Sequence, residues 1–410
     1  MKIAIIGSGG REHAILKKIA SKDRQIFMIP GNAGMQAQCV PLSVSDQQGI
    51  LEFAKKEQLY FIIVAPDNPL VEGLVDVLEG AGFACFGPRK QAARLEGSKI
   101  FAKEFMQRHN IPTAPYHAFD NFKEAQAFLE KAHFPLVIKA DGLAFGKGVM
   151  VVKSALEGVQ ALEQMMVHKI FGSSGERVII EEFLEGVEAS ILAFCDSHSL
   201  KLMPSSMDYK RALEGNKGLN TGGMGCIAPN PHFTPQMAKE CQEKIFTPTL
   251  KGLQAEGLDF RGCLYFGLIL TPQGAKVLEY NCRFGDPEAQ TLLPLLETDL
   301  LEIMQACSKR ELAKQEVIFS PLASCCVVLA SQGYPQEFRV GHALTYPPHL
   351  DICFAGVRNA PEGLVNASGR VLSITSIAPS LEQARTLSYE RIAQIQLDNG
   401  YYRPDIGKNL

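Results

Sequence analysis

Met1-Lys2-Ile3-Ala4-Ile5-Ile6-Gly7-Ser8-Gly9-Gly10-Arg11-Glu12-His13-Ala14 is the stretch from which the fold can be read. An apolar run of strand length meets a glycine turn, after which Ala14, Ile15, Leu16, Ile19 and Ala20 recur at helical spacing. A strand therefore feeds directly into a helix. The same alternation continues outward. Gln25 to Ile29 reads as a second strand and Phe61 to Ala65 as a third. Asp67 to Glu79 reads as one helix with Leu70, Leu74, Val75 and Leu78 on a single side, and Ala84 to Gly87 closes the unit. Strand and helix in alternation specify a parallel sheet covered by helices. The unit ends near Arg94 to Ser98, which makes residues 1–97 a first domain.

Ser98 caps a helix carrying Phe101, Ala102, Phe105 and Met106 on one side and ending at Asn110-Ile111-Pro112. Asn121 with Glu124, and Ser154 with Glu157, have capping-box spacing ahead of amphipathic runs. Around them Leu136 to Lys139, Val149 to Lys153, Arg177 to Glu182 and Ser190 to Cys195 are rich in Val, Ile and Leu, as strands are. A small α+β unit is expected there. A proline-initiated helical stretch runs from Thr234 towards Leu253 with an interruption at Pro248. Strands follow at Cys263 to Leu270 and Ala275 to Asn281, then a helical end from Pro287. The last module opens with a strand at Ala323 to Ala330. It ends with a strand at Arg370 to Ile377 and a helix capped around Ser380 that runs to Ile395. Three domains result, 1–97, 98–320 and 321–410, and a chain of 410 residues at about 150 per domain agrees.

Composition narrows the ligand. Lys and Arg number 41 against 44 Asp and Glu, a formal charge of -3 with no long run of one sign. That argues against nucleic acid and anionic membranes and for small molecules. No apolar run approaches the about 18 residues of a membrane span, and the N-terminal run is too short for a signal peptide. The eleven cysteines are scattered without a C-x-x-C pair, so a reducing cytoplasm is expected rather than a disulfide framework or zinc cluster.

Five constellations can carry chemistry. Gly7 to His13 joins strand to helix, where exposed amides and the helix dipole suit a phosphate. Glu12 stands where the dinucleotide fingerprint wants a third glycine, so NAD is not expected. A plain connecting turn is the alternative. Lys139-Ala140-Asp141-Gly142-Leu143-Ala144-Phe145-Gly146-Lys147-Gly148 lacks P-loop order, yet a strand lysine followed by a glycine hairpin with another lysine can cover a triphosphate. Lys99 and Lys103 can add further charge, with a solvated surface amine the favoured reading for Lys103. Glu181-Glu182-Phe183-Leu184-Glu185-Gly186-Val187-Glu188 reads as a hinge whose backbone can pair with a base edge, with a carboxylate for sugar hydroxyls or, in the plainer reading, a solvated acidic face. In Glu279-Tyr280-Asn281-Cys282-Arg283-Phe284-Gly285-Asp286-Pro287-Glu288 a strand puts Glu279 and Asn281 on one face, two oxygen ligands for a hard cation, with Arg283 following. Lastly Asn220-Thr221-Gly222-Gly223-Met224-Gly225, preceded by Asp208-Tyr209-Lys210-Arg211, is a glycine loop with a basic arm that suits an anionic intermediate.

Together these stretches resemble the ATP-grasp superfamily, and within it the phosphoribosylamine-glycine ligases. The resemblance covers essentially the whole chain in family order: GSGGREHA, Pro30-Gly31-Asn32-Ala33-Gly34, Leu95-Glu96-Gly97-Ser98-Lys99, KADG with GKGV, EEFLEG, NTGGMG and NCRFGDPE. It implies a Rossmann-like N-terminal domain, an ATP-grasp domain with a mobile flap at about residues 113–187, and a C-terminal α+β domain. It also implies ligation of glycine to 5-phosphoribosylamine through a glycyl phosphate, with ATP and Mg2+ or Mn2+ as cofactors, in de novo purine synthesis; a monomer is expected. By resemblance Lys99, Lys139, Gly146, Lys147 and Gly148 hold the ATP phosphates, Glu181, Glu182, Phe183 and Leu184 adenine, Glu188 ribose, and Glu279 and Asn281 the metal. Arg283, Lys139 and Lys147 are the expected catalytic groups. The substrates fall to Gly9, Gly10, Arg11, Glu12, Asn32, Gly34, Pro66, Asp67, Asp208, Lys210, Asn220, Thr221, Gly222, Gly223 and Asp286.

Three positions depart from the family's pattern. Phe145 replaces a small flap residue, Asp67 a glutamate and Tyr209 a common histidine. An ATP-grasp ligase for another amine or acid is the main alternative, and a non-catalytic nucleotide binder or an NAD-dependent oxidoreductase the remoter ones.

Overall fold

The structure, a computed structural model, describes residues 1–144 and 148–408. Phe145, Gly146 and Lys147 of the expected flap therefore lie outside the described residues. The N-terminal sheet is parallel throughout, in the order Gln38–Cys39, Gln25–Pro30, Lys2–Gly7, Phe61–Val64, Ala84–Phe86. Its central strand is apolar on both faces because both are covered. Ile3 and Ile5 pack with Ile15, Leu292 and Leu293 on one side, and Ala4 and Ile6 with Ile50, Leu70 and Leu74 on the other. The expected helix over residues 67–79 is two, Asp67–Glu72 and Leu74–Gly80. Gly73, at φ 95°, closes the first through the carbonyls of Leu70 and Pro69, a left-handed stop that the apolar spacing does not reveal.

A four-stranded antiparallel sheet follows, ordered Tyr116–Phe119, Val178–Glu182, Leu136–Ala140, Val149–Val152. Helices Phe122–Leu129 and Ala155–Leu162 cover it through Ala125, Leu129, Ala161 and Leu162. Their caps are the expected ones, Asn121 accepting from the amides of Lys123 and Glu124, and Ser154 from Glu157. A second antiparallel sheet is ordered Leu200–Leu202, Val187–Cys195, Gly262–Thr271, Gly274–Asn281. It is backed by helix Lys99–Arg108 and by the helical stretch after Thr234. Pro248 does not end that stretch. The turn before it widens to a π-turn, Gln242–Phe246, and Pro248 sits in the first turn of Thr247–Ala255, where its missing N–H costs least.

The last sheet crosses the expected boundary at residue 320. Met207–Asp208 pairs with Gly225–Ala228, which pairs with Ala323–Ser331, then Arg370–Ala378 and Ile352–Phe354. The middle and last modules thus share one hydrogen-bonded ladder. No helix among the described residues is long and apolar enough to cross a membrane.

Candidate active site

The site is built around strand Gly274–Asn281. A bulge near Leu278 shifts its register against Gly262–Thr271, after which Glu279 opposes Gly267 and Asn281 opposes Tyr265, so the two oxygen donors share a face as expected. Desolvation works against the ionised form of Glu279. Lys210, Lys139, Lys99 and Arg283 outweigh it and hold the carboxyl below its ordinary value. The charges of four cations from four separate stretches of chain therefore bear on one carboxylate. The Asn281 amide oxygen accepts from Arg283 Nη2 at 3.3 Å.

Each cation is positioned by its own contacts. Lys99 opens helix Lys99–Arg108 behind the Ser98 cap, its Nζ donating to the carbonyl of Gly142 at 3.2 Å. Lys139 leaves strand Leu136–Ala140, Nζ lying 3.1 Å from Glu181 Oε1 and 3.4 Å from the carbonyl of Leu278. Lys210 pairs with Glu188 at 2.8 Å. Arg283 is gripped by Glu96 at 2.7 Å, and Asp67 stands 3.8 Å away. Burial pushes the Glu96 carboxyl up to about 7 against the pull of Arg283, and its other oxygen accepts the Cys282 amide at 2.6 Å. Arg283 Nε, buried, has no partner among the described residues.

Several expected roles are corrected by the contacts. Lys103 is no surface amine. It is 2% exposed, donates to Thr113 Oγ1 at 2.7 Å and lies 3.2 Å from Glu181 Oε2. Burial, opposed by Glu181, lowers it to about 8. The Glu181 side chain, expected at the hinge, is instead buried between Lys103 and Lys139, and the Glu182 amide is taken by the carbonyl of Pro115. Phe183 and Leu184 follow in the connection between strands Val178–Glu182 and Val187–Cys195.

The N-terminal glycine turn is not an open anion cradle either. Glu12 folds back so that Oε2 accepts the Gly9 amide at 2.7 Å and Oε1 the Arg11 Nε at 2.7 Å, while Asp286 Oδ2 accepts the Arg11 amide at 3.2 Å. Two carboxylates thus hold the Gly9 and Arg11 amides and place negative charge at the turn, which favours hydroxyl or amine donors there. Gly10 is buried beside it. Asn32 braces the turn, donating to the carbonyls of Ser8 at 2.7 Å and Phe354 at 3.1 Å and accepting the Gly34 amide at 2.9 Å. Pro66 precedes helix Asp67–Glu72, whose Asp67 faces Arg283.

The glycine loop offers no free amide for an anionic intermediate, contrary to expectation. The amides of Thr221, Gly222, Gly223 and Met224 go to the Lys210 carbonyl, Tyr334 Oη, Thr221 Oγ1 and the Tyr209 carbonyl respectively. Asn220 ends strand Lys217–Asn220 and pairs with Arg211. Buried Asp208 Oδ1 has no partner among the described residues, and desolvation together with Glu288 raises its carboxyl well above the ordinary value. Tyr209 points away from the site, its hydroxyl accepting the Gly407 amide at 3.1 Å, so its replacement of histidine touches the C-terminal core.

Sequence reading missed Glu96, Asp141, Tyr334 and Arg370. Glu96 and Asp141 lie within quoted motifs, and the signal for Glu96 was a carboxylate beside Leu95 in an amphipathic helix. Asp141 accepts from Ser98 Oγ at 2.9 Å, the Ile100 amide at 2.8 Å and Arg177 Nη2 at 2.6 Å. Tyr334 and Arg370 carry no local signal.

An antiparallel sheet carrying Lys139 beside a second one carrying Glu279 and Asn281, with the charges of Lys99, Lys210 and Arg283 bearing on Glu279, is the arrangement of an ATP-grasp protein. Comparison with known proteins narrows the class. The chain matches the N domain of phosphoribosylglycinamide synthetase over residues 1–96, its ATP-grasp (A) domain over 97–289 and its C domain over 324–409. The chain belongs to the phosphoribosylglycinamide synthetase family. It is 45% identical to the phosphoribosylamine-glycine ligase of Caldanaerobacter subterraneus, with 99% of each chain covered. To that of Listeria monocytogenes serovar 1/2a it is 44% identical, again with 99% of each covered. The crystal structure of the Thermotoga maritima phosphoribosylamine-glycine ligase superposes with a TM-score of 0.89 at 33% identity, covering 99% of this chain and 100% of that one. The fold alone extends to a Hydrogenobacter thermophilus biotin carboxylase domain solved with MgADP, at TM-score 0.76 and 15% identity, covering 98% and 91%.

Proposed function

We propose that the chain joins glycine to 5-phosphoribosylamine at the expense of ATP, giving glycinamide ribonucleotide, ADP and phosphate in cytoplasmic de novo purine synthesis, with the chain working as domains 1–97, 98–320 and 321–410. The observation that carries it is the ring of Lys99, Lys139, Lys210 and Arg283 about Glu279. A glycine carboxylate must approach the γ-phosphorus of ATP, anion against anion, and fixed cations in a partly dry site offset that repulsion. Attack breaks the bond from the γ-phosphorus to the bridging oxygen and releases ADP. The amine nitrogen then attacks the glycyl carbonyl, loses a proton, and phosphate departs.

In this reading Lys99 and Lys139, with Gly146, Lys147 and Gly148, take the ATP phosphates. Main-chain groups of Phe183 and Leu184, in the connection after Glu182, take the base, and the half-exposed Glu188 a ribose hydroxyl. Glu279 and Asn281 would hold Mg2+ or Mn2+. An ionised carboxylate and an amide oxygen on one strand face fit a hard cation that draws its other ligands from phosphate oxygens and water. When bound, the metal neutralises phosphate charge. Arg283, fixed by Glu96, bears on the acyl phosphate through its free Nε. Glu12, Asp67 and Asp286, with the glycine turn braced by Asn32, take the sugar and amine of the acceptor, and Asp208 with Lys210 lies on the glycine side.

The test is ADP release with MgATP, adding glycine and freshly generated phosphoribosylamine separately and then together. Turnover that needs both and falls at least about 100-fold in Glu279→Ala supports the assignment. Silence with substrates active on a known ligase would redirect the search to other amines and acids, with Asp67 as the first residue to question.

A further inference from the structure

Arg370 lies far from every motif, yet its guanidinium reaches the centre of the acceptor side. It stands on strand Arg370–Ala378 where the pairing with Ala323–Ser331 slips by one residue between Leu329 and Ala330, a bulge of the kind that re-aims a side chain. Its Nη1 donates to the carbonyls of Asp286 at 2.6 Å, Gly222 at 2.8 Å and Gly223 at 3.4 Å, and lies 3.2 Å from the Asp286 carboxylate. Tyr334, from the same C-terminal module, accepts the Gly222 amide at 3.0 Å. Both ends of residue 222 are therefore held by side chains from beyond residue 320.

Three carbonyl dipoles and a carboxylate converge on one cation. Without it they would face one another unpaired in a partly buried space, an arrangement that relaxes only by moving the loop. The consequence passes on through Asp286, whose Oδ2 accepts the Arg11 amide of the glycine turn while Oδ1 takes Gln290. Arg370 and Arg11 hold that carboxyl below its ordinary value against desolvation. One guanidinium thereby ties the glycine loop, the turn after the metal-side strand and the N-terminal turn.

We propose that Arg370 is a positioning residue for the acceptor amine: the C-terminal module completes the phosphoribosylamine site by setting Asp286 and the Gly222-Gly223 loop, and leaves the ATP half alone. The inference rests on the assignment of phosphoribosylamine to that side. Lysine is not expected to replace the arginine, since its ammonium sits on a shorter stem and falls short of the point where Nη1 meets all four acceptors.

Arg370→Lys and Asp286→Asn are expected to raise KM for phosphoribosylamine at least tenfold while KM for ATP and for glycine stays within twofold. Hydrogen exchange should quicken at the amides of Arg11 and Gly222. Arg391→Ala, which removes a C-terminal contact to Ser376 away from the site, should change none of these. A double variant should be no worse than the poorer single one, because both break one link. Equal rises in all three KM values, or unchanged exchange at residues 11 and 222, would overturn the proposal. Should the wild-type chain not turn over phosphoribosylamine at all, the exchange data still decide whether Arg370 holds the loop, and only the acceptor's identity falls.

Discussion

His13 shows how much one side chain can carry outside the chemistry. Its Nδ1 accepts the Phe354 amide at 2.8 Å, so the ring is neutral, and it stacks on the Phe354 ring with centroids 5.8 Å apart. Burial, reinforced by Lys17, lowers it from 6.5 to about 4. As pH falls from 6.5, the unfolded chain takes up this proton and the folded one does not, so stability present above 6.5 is lost progressively down to about 4. The difference is worth about 3 kcal/mol at most. Urea unfolding at pH 7 and at pH 4.5 should show a smaller loss in His13→Gln than in the wild-type chain; equal losses would mean the ring does not stay neutral. At this scale the local half of the site was legible. Ser98, Asn121 and Ser154 cap helices through groups a few residues away, and Glu279 and Asn281 share a face because a strand alternates. Lys103 was misread because its partner Glu181 lies on a strand that only the tertiary fold brings near. The glycine turn was misread because nothing local reveals that Asp286 takes an amide there.

Asp141 does for whole elements what His13 does for one contact. Its carboxylate joins the Ser98 cap and Ile100 amide of helix Lys99–Arg108 to Arg177, while its own carbonyl accepts the Lys99 amide and its amide donates to the Arg177 carbonyl. The end of strand Leu136–Ala140 is thus fastened to the helix that brings Lys99. Asp141→Ala strands a buried amide and frees a guanidinium, a cost of about 1–3 kcal/mol. Hydrogen exchange should rise in Leu136–Ala140 and Val178–Glu182 while strands Val187–Cys195 and Gly262–Thr271 stay protected, and KM for ATP should rise several-fold. Uniform exchange across both sheets would instead mean that the carboxylate supports the whole fold. Many strand and helix positions were legible because periodicity is local, although helix Gln47–Glu57 and strands Tyr116–Phe119 and Gly225–Ala228 went unread. The break at Gly73 and the π-turn before Pro248 were not, since each answers to packing that only neighbouring elements impose.

Over the whole molecule, the chain order of three modules hides the way the last two are joined. Gly225–Ala228 is fully buried and bonds to Ala323–Ser331 from Gly225 opposite Val327 to Ala228 opposite Ser324. The Met224 carbonyl accepts the Val328 amide, and Tyr209 bonds near the C-terminus at Gly407. A cut at residue 320 would leave that ladder unpaired on an apolar edge, an invitation to pair with other chains. Ile227, packed against Cys325, Val327 and Ile374, would lose its cover as well. Because Asp208 and the glycine loop both lie at the Gly225 end of this edge, the damage reaches the site directly. The fragment 1–320 should therefore be recovered mainly as aggregate, and any soluble fraction should show no ADP release dependent on both substrates. Sedimentation of the expressed fragment with the same coupled assay checks this. A monomeric fragment that still hydrolyses ATP in response to glycine would show that the ATP half folds without the shared sheet, and would confine the last module to holding the acceptor.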